Sequence, residues 1–472
     1  MSFPDELFFG PASRLVAMLR ARDVSAGEMV SAFLDRIESI NPKLNAIVTL
    51  AEERAIEEAE ESDRRLAGKG EVRPLEGLPI TVKDHMMTAG IRSTIGMKIF
   101  EHFVPQEDAP TVARLRAAGA VIIAKTNVPE MVLDYDCENP LFGATNNPWN
   151  LARVPGGSSG GEAAALASGM SALGLGSDLG GSIRLPAHFC GIAGLKPSWG
   201  TVPSSGLVPP GPAAQPPIAA MGVLGPMARH VDDLTLSYNI IKGPHPSSPY
   251  TAPTPIARPD VVDLKKLRCA VFTSGGGIRV ASEIREATQR AARALSKRGL
   301  AVEEATPPLE GAGALWTEYM GADGNELLLE VLGDKVHLSR ERLRRAFAPG
   351  PGKSAAEFFR IAMRRDAWRV ELANFMERYP ILICPPFCTT AFAHGAVEVE
   401  IDGSRFPYYA AGWPVMWVNL AGLAAAVIPA GQDRDGLPIG VQIVGRAFDE
   451  EGVLAVAKVL EQDLGGFQKP PL

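Results

Sequence analysis

The glycines concentrate in the stretch Pro155-Gly-Gly-Ser158-Ser159-Gly-Gly-Glu162, followed by the small-residue run Ala163–Met170 and the turn Ser177-Asp178-Leu179-Gly180-Gly181-Ser182-Ile183-Arg184. Taken alone, Gly-Gly-Ser-Ser-Gly-Gly has the composition of a flexible linker. A linker would not lead into a tight Ala-rich helix, nor be followed by a strand, Ala172–Gly176, and a second Gly-Gly-Ser turn. Glycine loops at helix starts also bind phosphate, but a P-loop closes on Gly-Lys-Ser/Thr, and Gly160-Gly161-Glu162 puts an acid there. Gly156-Gly-Ser158-Ser-Gly160 matches the G-x-S-x-G elbow, which needs a strand before its serine and a later acid and histidine. Asn146-Asn-Pro-Trp-Asn150 and Pro155 deny the strand, and among the seven histidines His394 is the one late enough in a loop to serve a Ser–His–Asp scheme.

Outward from that stretch, strands and helices alternate. Leu78–Lys83 reads as a short apolar strand ending in a lysine, and Val121–Thr126 as an almost wholly apolar one, suited to a sheet covered on both faces. A helix near Thr111–Ala118 lies between them. Later strands are expected at Leu267–Thr273, Ala301–Glu304, Ile381–Cys384, Val427–Pro429 and Ile439–Val444, with helices at Ala281–Arg298 and Glu450–Leu460. The pattern predicts an α/β fold with a mainly parallel or mixed sheet. Residues 1–70 read as a helical segment: Ser25-Ala-Gly-Glu28 has the form of a capping box, Asn41-Pro42 is expected to stop that helix, and a charged helix follows over Ala51–Leu66. The Pro-rich stretches Val208–Pro226 and Pro244–Pro259 are readable as surface loops or as interdomain linkers.

Composition bounds the class. The 472 residues are 46% hydrophobic and 21% charged, enough for a large core, which excludes disordered and fibrous chains. Forty-seven Lys and Arg against 54 Asp and Glu give a net charge of −7, which argues against nucleic acid as a partner. Five scattered cysteines suggest neither a disulfide framework nor a zinc site. The N-terminus shows no secretory signal, and Phe406–Gln432 reads as a buried helix followed by a strand rather than a membrane span. A cytoplasmic protein without membrane contact is expected. The 48 glycines and 39 prolines exceed the roughly 12% usual for the two together, so unusual backbone is required somewhere.

A serine hydroxyl near neutrality needs an adjacent base, and a lysine serves only when burial lowers its pKa. Lys83, closing an apolar strand, is such a candidate, although a lysine at a strand end is ordinarily an exposed charge.

The stretch Gly156–Gly200, with Gly194-Leu-Lys-Pro-Ser-Trp-Gly200 closing it, resembles the amidase signature family. Matches in order along the chain are Gly77-Leu-Pro-Ile-Thr-Val-Lys-Asp84, Lys125-Thr-Asn127, Gly143-Ala-Thr-Asn-Asn-Pro-Trp-Asn150 and Gly436-Leu-Pro-Ile-Gly-Val-Gln-Ile-Val-Gly445. The resemblance implies one large domain over residues 1–472, a central mixed sheet flanked by helices. Within it residues 75–240 would hold the signature core, and 263–472 the remaining sheet and substrate-side helices. It implies amide hydrolysis without metal or cofactor: Ser182 as nucleophile, Ser158 as relay behind a cis Gly157–Ser158 peptide, and Lys83 as neutral base. The amides of Leu179, Gly180, Gly181 and Ser182 would form the oxyanion hole, with Gly157, Ser159, Asp178 and Arg184 in support. A small-molecule amide and, as in other members, a second copy of the chain are the partners it suggests.

The chain departs from the family at Ala220-Met-Gly-Val-Leu-Gly-Pro226, where many members read Ser-Leu-Asp before the Gly-Pro. Three readings remain open: a stand-alone hydrolase of linear amides, the glutamine-hydrolysing component of a tRNA-dependent amidotransferase, and a non-enzymatic binding module. Against the second, Phe358-Phe-Arg-Ile-Ala-Met-Arg-Arg365 and Trp368 stand where that component is usually tyrosine-rich. Against the third, all three triad positions are intact. Met86, Met131, Ile192 and Trp413 are candidates for an apolar pocket lining.

Overall fold

The computed structural model describes residues 4–68, 70–209, 220–346, 348 and 350–472. In chain order the strands are β1 (Ile47–Leu50), β2 (Pro79–Lys83), β3 (Val121–Thr126), β4 (Glu138–Asn139), β5 (Gly143–Ala144), β6 (Gly174–Asp178), β7 (Ala193–Lys196) and β8 (Val223–Ala228). Then follow β9 (Arg268–Val271), β10 (Ala301–Glu304), β11 (Ile381–Cys384), β12 (Glu398–Ile401), β13 (Ser404–Pro407), β14 (Ala425–Gln432) and β15 (Pro438–Gly445). Eleven of them form one sheet in the order β1-β3-β2-β6-β8-β7-β14-β15-β11-β9-β10, while β4–β5 and β12–β13 make two small hairpins.

The sheet is mixed. β3, β2 and β6 run parallel, as do β11, β9 and β10, and the strands between them pair antiparallel. β2, β3 and β7 are buried at every residue, as expected of strands covered on both faces. One hydrophobic cluster runs from Leu7 to Leu460 through both ends of the sheet, so the chain forms one large α/β domain. No described helix is long and apolar enough to cross a membrane.

Two local expectations are corrected. The helix capped at Ser25 does not stop at Pro42 but runs over Ala26–Leu44. Proline lacks one amide hydrogen and crowds one carbonyl, and so near a C-terminus it disturbs little. The chain turns instead at Asn45, in the left-handed conformation, and Asn41 Oδ1 accepts from the amides of Ala46 and Ile47, both at 2.8 Å. The Pro-rich stretch 208–226 is neither wholly loop nor linker: Val223–Pro226 belong to β8, in the middle of the sheet, and residues 210–219 lie outside the described residues. Residues 244–259 lie against the domain, tied by Arg114 Nη2 to Pro244 O (2.7 Å), Ala252 N to Gly200 O (3.0 Å) and Asn239 Nδ2 to Ala257 O (3.0 Å).

Candidate active site

The parallel neighbours β2 and β6 put their C-terminal ends side by side, with Val82 opposite Leu175. Ligands of open α/β sheets sit beyond such ends, and here Lys83 closes β2 while Asp178 closes β6. Lys83 is fully buried, and its Nζ lies 2.7 Å from Ser158 Oγ and 2.9 Å from Ser177 Oγ. Burial pushes its ammonium pKa down to about 7, against a partial counter-pull from Cys137, Asp178 and Glu162. The Gly157–Ser158 peptide is cis.

Small residues make this approach possible. A Cβ on Gly157 would stand 2.2 Å from Asp134 O, and one on Gly161 within 2.4–2.8 Å of three backbone atoms of Asn127 and Ala46. The helix Gly160–Ala167 is buried at every residue and lies directly on the sheet. Its Glu162 accepts from Thr81 Oγ1 and, at 2.8 Å, from Thr126 Oγ1, and burial raises its carboxyl to about 7.

The turn after β6 is built round Asp178. Burial favours the protonated acid, but Arg184, paired at 2.9 Å, holds the carboxyl well below the usual range. Asp178 Oδ1 also accepts from the Gly181 amide (2.9 Å), and Oδ2 from the amides of Ile183 (3.0 Å) and Arg184 (3.3 Å). Arg184 Nη1 reaches Gln442 Oε1 on β15 at 2.7 Å and Nη2 reaches Asn419 Oδ1 at 2.5 Å. The conspicuous Gly436–Gly445 motif therefore braces the turn from the other half of the sheet. Ser182 is 8% exposed, its carbonyl accepting from the Ser159 amide at 3.1 Å. Among the described residues no acceptor meets the amides of Leu179, Gly180 or Ser182.

Ser182, Gly180 and Leu179 line a cavity of about 440 Å³ whose walls are mainly aromatic and apolar, including Tyr135, Trp316, Met320, Tyr408 and Tyr409. Glu130, Asp134 and Arg340 also face it. Arg340 is paired with Glu138 at 2.5 Å, and burial raises the Glu130 carboxyl. Of the four candidates for an apolar lining, each of which reads more readily as plain core, Met86 and Ile192 are wholly buried, and none of the four is among the residues facing this cavity. No strand precedes Ser158; the residues before it run as loop from the end of β5. His394 Nδ1 faces Asp136 Oδ1 at 3.4 Å. No described group of histidines, cysteines and acids could hold a metal.

The sequence reading missed Ser177, the second oxygen on Lys83, and the segment Asp134-Tyr135, which lies against both Gly157 and Gly180. Ser177 stands in the motif already singled out and could have been noticed. Asp134-Tyr135 carries no spacing signal, because its partners are distant in sequence.

Residues 28–454 match the family model described as Amidase. The chain is 35% identical to the A component of the Glutamyl-tRNA(Gln) amidotransferase of Thermosynechococcus vestitus over 480 residues, covering 95% of this chain and 97% of that one. Among solved structures it resembles one described as revealing, in an unexpected vestigial protein complex, the origins of an s-triazine catabolic enzyme. The TM-score is 0.89 at 30% identity, over 98% of this chain and 100% of that one. A 6-aminohexanoate cyclic dimer hydrolase complexed with substrate gives 0.85 at 27% identity, over 98% and 99%. These names correct the partner expectation of a small amide and at most a second copy, with no nucleic acid. A relative matched end to end is one component of a larger enzyme named for a transfer RNA. Net charge sums the whole chain and says nothing of a local face, or of what an assembly engages through its other chains. Matched over residues 28–454, the chain belongs to the amidase family, the amidase signature enzymes.

Proposed function

We propose that the chain cleaves a carboxamide C–N bond through an acyl-enzyme on Ser182. The observation that carries this is the buried Lys83 amine, its pKa lowered by burial to about 7, 2.7 Å from Ser158 Oγ, with the next amide, Ser159 N, donating at 3.1 Å to the carbonyl of the cavity-lining Ser182. Neutral Lys83 takes the Ser158 proton as Ser158 takes that of Ser182, and Ser182 Oγ adds to the carbonyl carbon. The oxyanion is received by backbone amides, each such donor being worth about 3–4 kcal/mol. Since the Gly181 amide is given to Asp178, the donors narrow to Leu179, Gly180 and Ser182. The proton returns through Ser158 to the leaving nitrogen, which departs as ammonia or an amine. Water then repeats the relay and releases the carboxylate.

The end-to-end match to an amidotransferase component favours glutamine as the amide and a partner enzyme as the user of the ammonia. A stand-alone hydrolase of bulkier linear amides has one observation in its favour, the aromatic cavity wall of Tyr135, Trp316, Tyr408 and Tyr409. Turnover of glutamine, acetamide and p-nitroacetanilide by the purified chain, with and without proteins that co-purify with it, separates the two. Glutaminase activity that rises with a co-purifying protein, and no anilide turnover, supports the amidotransferase reading. Anilide turnover by the chain alone, with glutamine untouched, supports the stand-alone hydrolase.

A further inference from the structure

Gly180 and Gly181 stand next to each other in the nucleophile turn, and paired glycines have the freest backbone a chain can offer. Such freedom is costly where amides must be aimed to within a fraction of an ångström. The structure closes it from outside. The Tyr135 hydroxyl donates to Gly180 O at 2.7 Å, and Asp178 Oδ1 accepts from Gly181 N at 2.9 Å. These are the two ends of one peptide plane. Gripping it fixes ψ of Gly180 and φ of Gly181, the latter at +109° with Val415 packed where a Cβ would lie.

Tyr135 is itself held. It is 4% exposed, stacked on Tyr409 with ring centres 5.1 Å apart, and edge-on to Phe387 at 5.9 Å. A Cβ on Gly412 would come within 2.7 Å of its hydroxyl oxygen, and one on Gly157 within 2.9 Å of its Cα. Burial keeps the phenol protonated and hence a donor.

We propose that Tyr135 is a positioning residue of the oxyanion site: together with Asp178 it clamps the Gly180–Gly181 peptide, so that the flanking amides of Gly180 and Ser182 are aimed at the reacting carbonyl. This rests on the reading of Ser182 as the nucleophile. It adds a device from another segment, one that binds no substrate atom through its hydroxyl.

Phenylmethanesulfonyl fluoride tests it without knowledge of the substrate. Ser182 Oγ forms a bond to sulfur, the S–F bond breaks, fluoride leaves, and the serine proton passes through Ser158 to Lys83. The wild-type chain is expected to carry the sulfonyl mass on Ser182. Tyr135→Phe keeps the ring and loses the clamp; its second-order labelling rate should fall about tenfold to a hundredfold. The pH midpoint of labelling should stay near 7, and the thermal unfolding midpoint within a few degrees of wild type. Labelling of Tyr135→Phe at the wild-type rate overturns the clamp. So does a loss accompanied by a moved pH midpoint or by lost cooperative unfolding, since either means that Tyr135 acts through the fold at large. A wild-type chain left unlabelled at Ser182 overturns the nucleophile assignment first, and the clamp falls with it.

Discussion

The chemistry proposed for this chain turns on one residue, Lys83. A fully buried amine is kept uncharged to a lower pH by the cost of charging it, and on the proposed reading that cost is what fits Lys83 to act as the base. Activity is therefore expected to rise with pH and reach half its plateau near pH 7, as the amine loses its proton. Stability follows the same linkage: the folded-state pKa of about 7 lies below the ordinary 10.5, so between those values the unfolded chain binds a proton that the folded chain does not. Stability from this group thus rises with pH across that window, and its burial costs most below pH 7. Lys83→Met should lower turnover about 10²- to 10⁴-fold and flatten that rise, leaving the variant no less stable than wild type at pH 6. Urea titrations of both proteins at pH 6 and pH 9 check the sign; a variant much less stable at pH 6 would show that the amine supports the fold.

Among the elements, the helix Gly160–Ala167 sets how near Ser158 stands to the sheet. Its glycines are there for contact rather than flexibility: at Gly161 a methyl group would meet the Asn127 amide nitrogen at 2.4 Å, the Asn127 oxygen at 2.6 Å and the Ala46 oxygen at 2.8 Å. All three are backbone atoms and have no rotamer into which to withdraw. Gly161→Ala is expected to destabilise the fold by about 3 kcal/mol or more, the upper end of overpacking costs. The shift in the denaturation midpoint measures this, and a change under 1 kcal/mol would show that the helix can back away. The parallel strands β2 and β3 were readable as apolar runs in the sequence, and so was Lys83 at the end of one of them. The Pro42 position misled because a proline tells only which hydrogen bond is lost, and near a helix end few remain to lose.

For the whole molecule, one sheet of eleven strands joins distant segments, and this explains both what the sequence disclosed and what it withheld. The glycine surplus was readable because it concentrates in one stretch. Long motifs such as Gly436–Gly445 were recognisable, but their use was not. That Gln442 reaches Arg184, 258 residues away, is a property of the sheet order. Tyr135 and its grip on Gly180 were invisible for the same reason, since no local period encodes a contact made only once the sheet has formed. Net charge misled about partners because it describes a sum over the surface and not a site. If the buried Lys83–Ser158 pair drives an acyl transfer on Ser182, turnover must depend on the Ser182 hydroxyl. Turnover of glutamine, acetamide and p-nitroacetanilide by wild type and by Ser182→Ala, side by side with their unfolding curves, tests it most directly. Wild type is expected to hydrolyse at least one of these amides, and the variant to lose about a thousandfold or more of that activity with superimposable unfolding. A Ser182→Ala protein that turns over the same amide at the wild-type rate would contradict it.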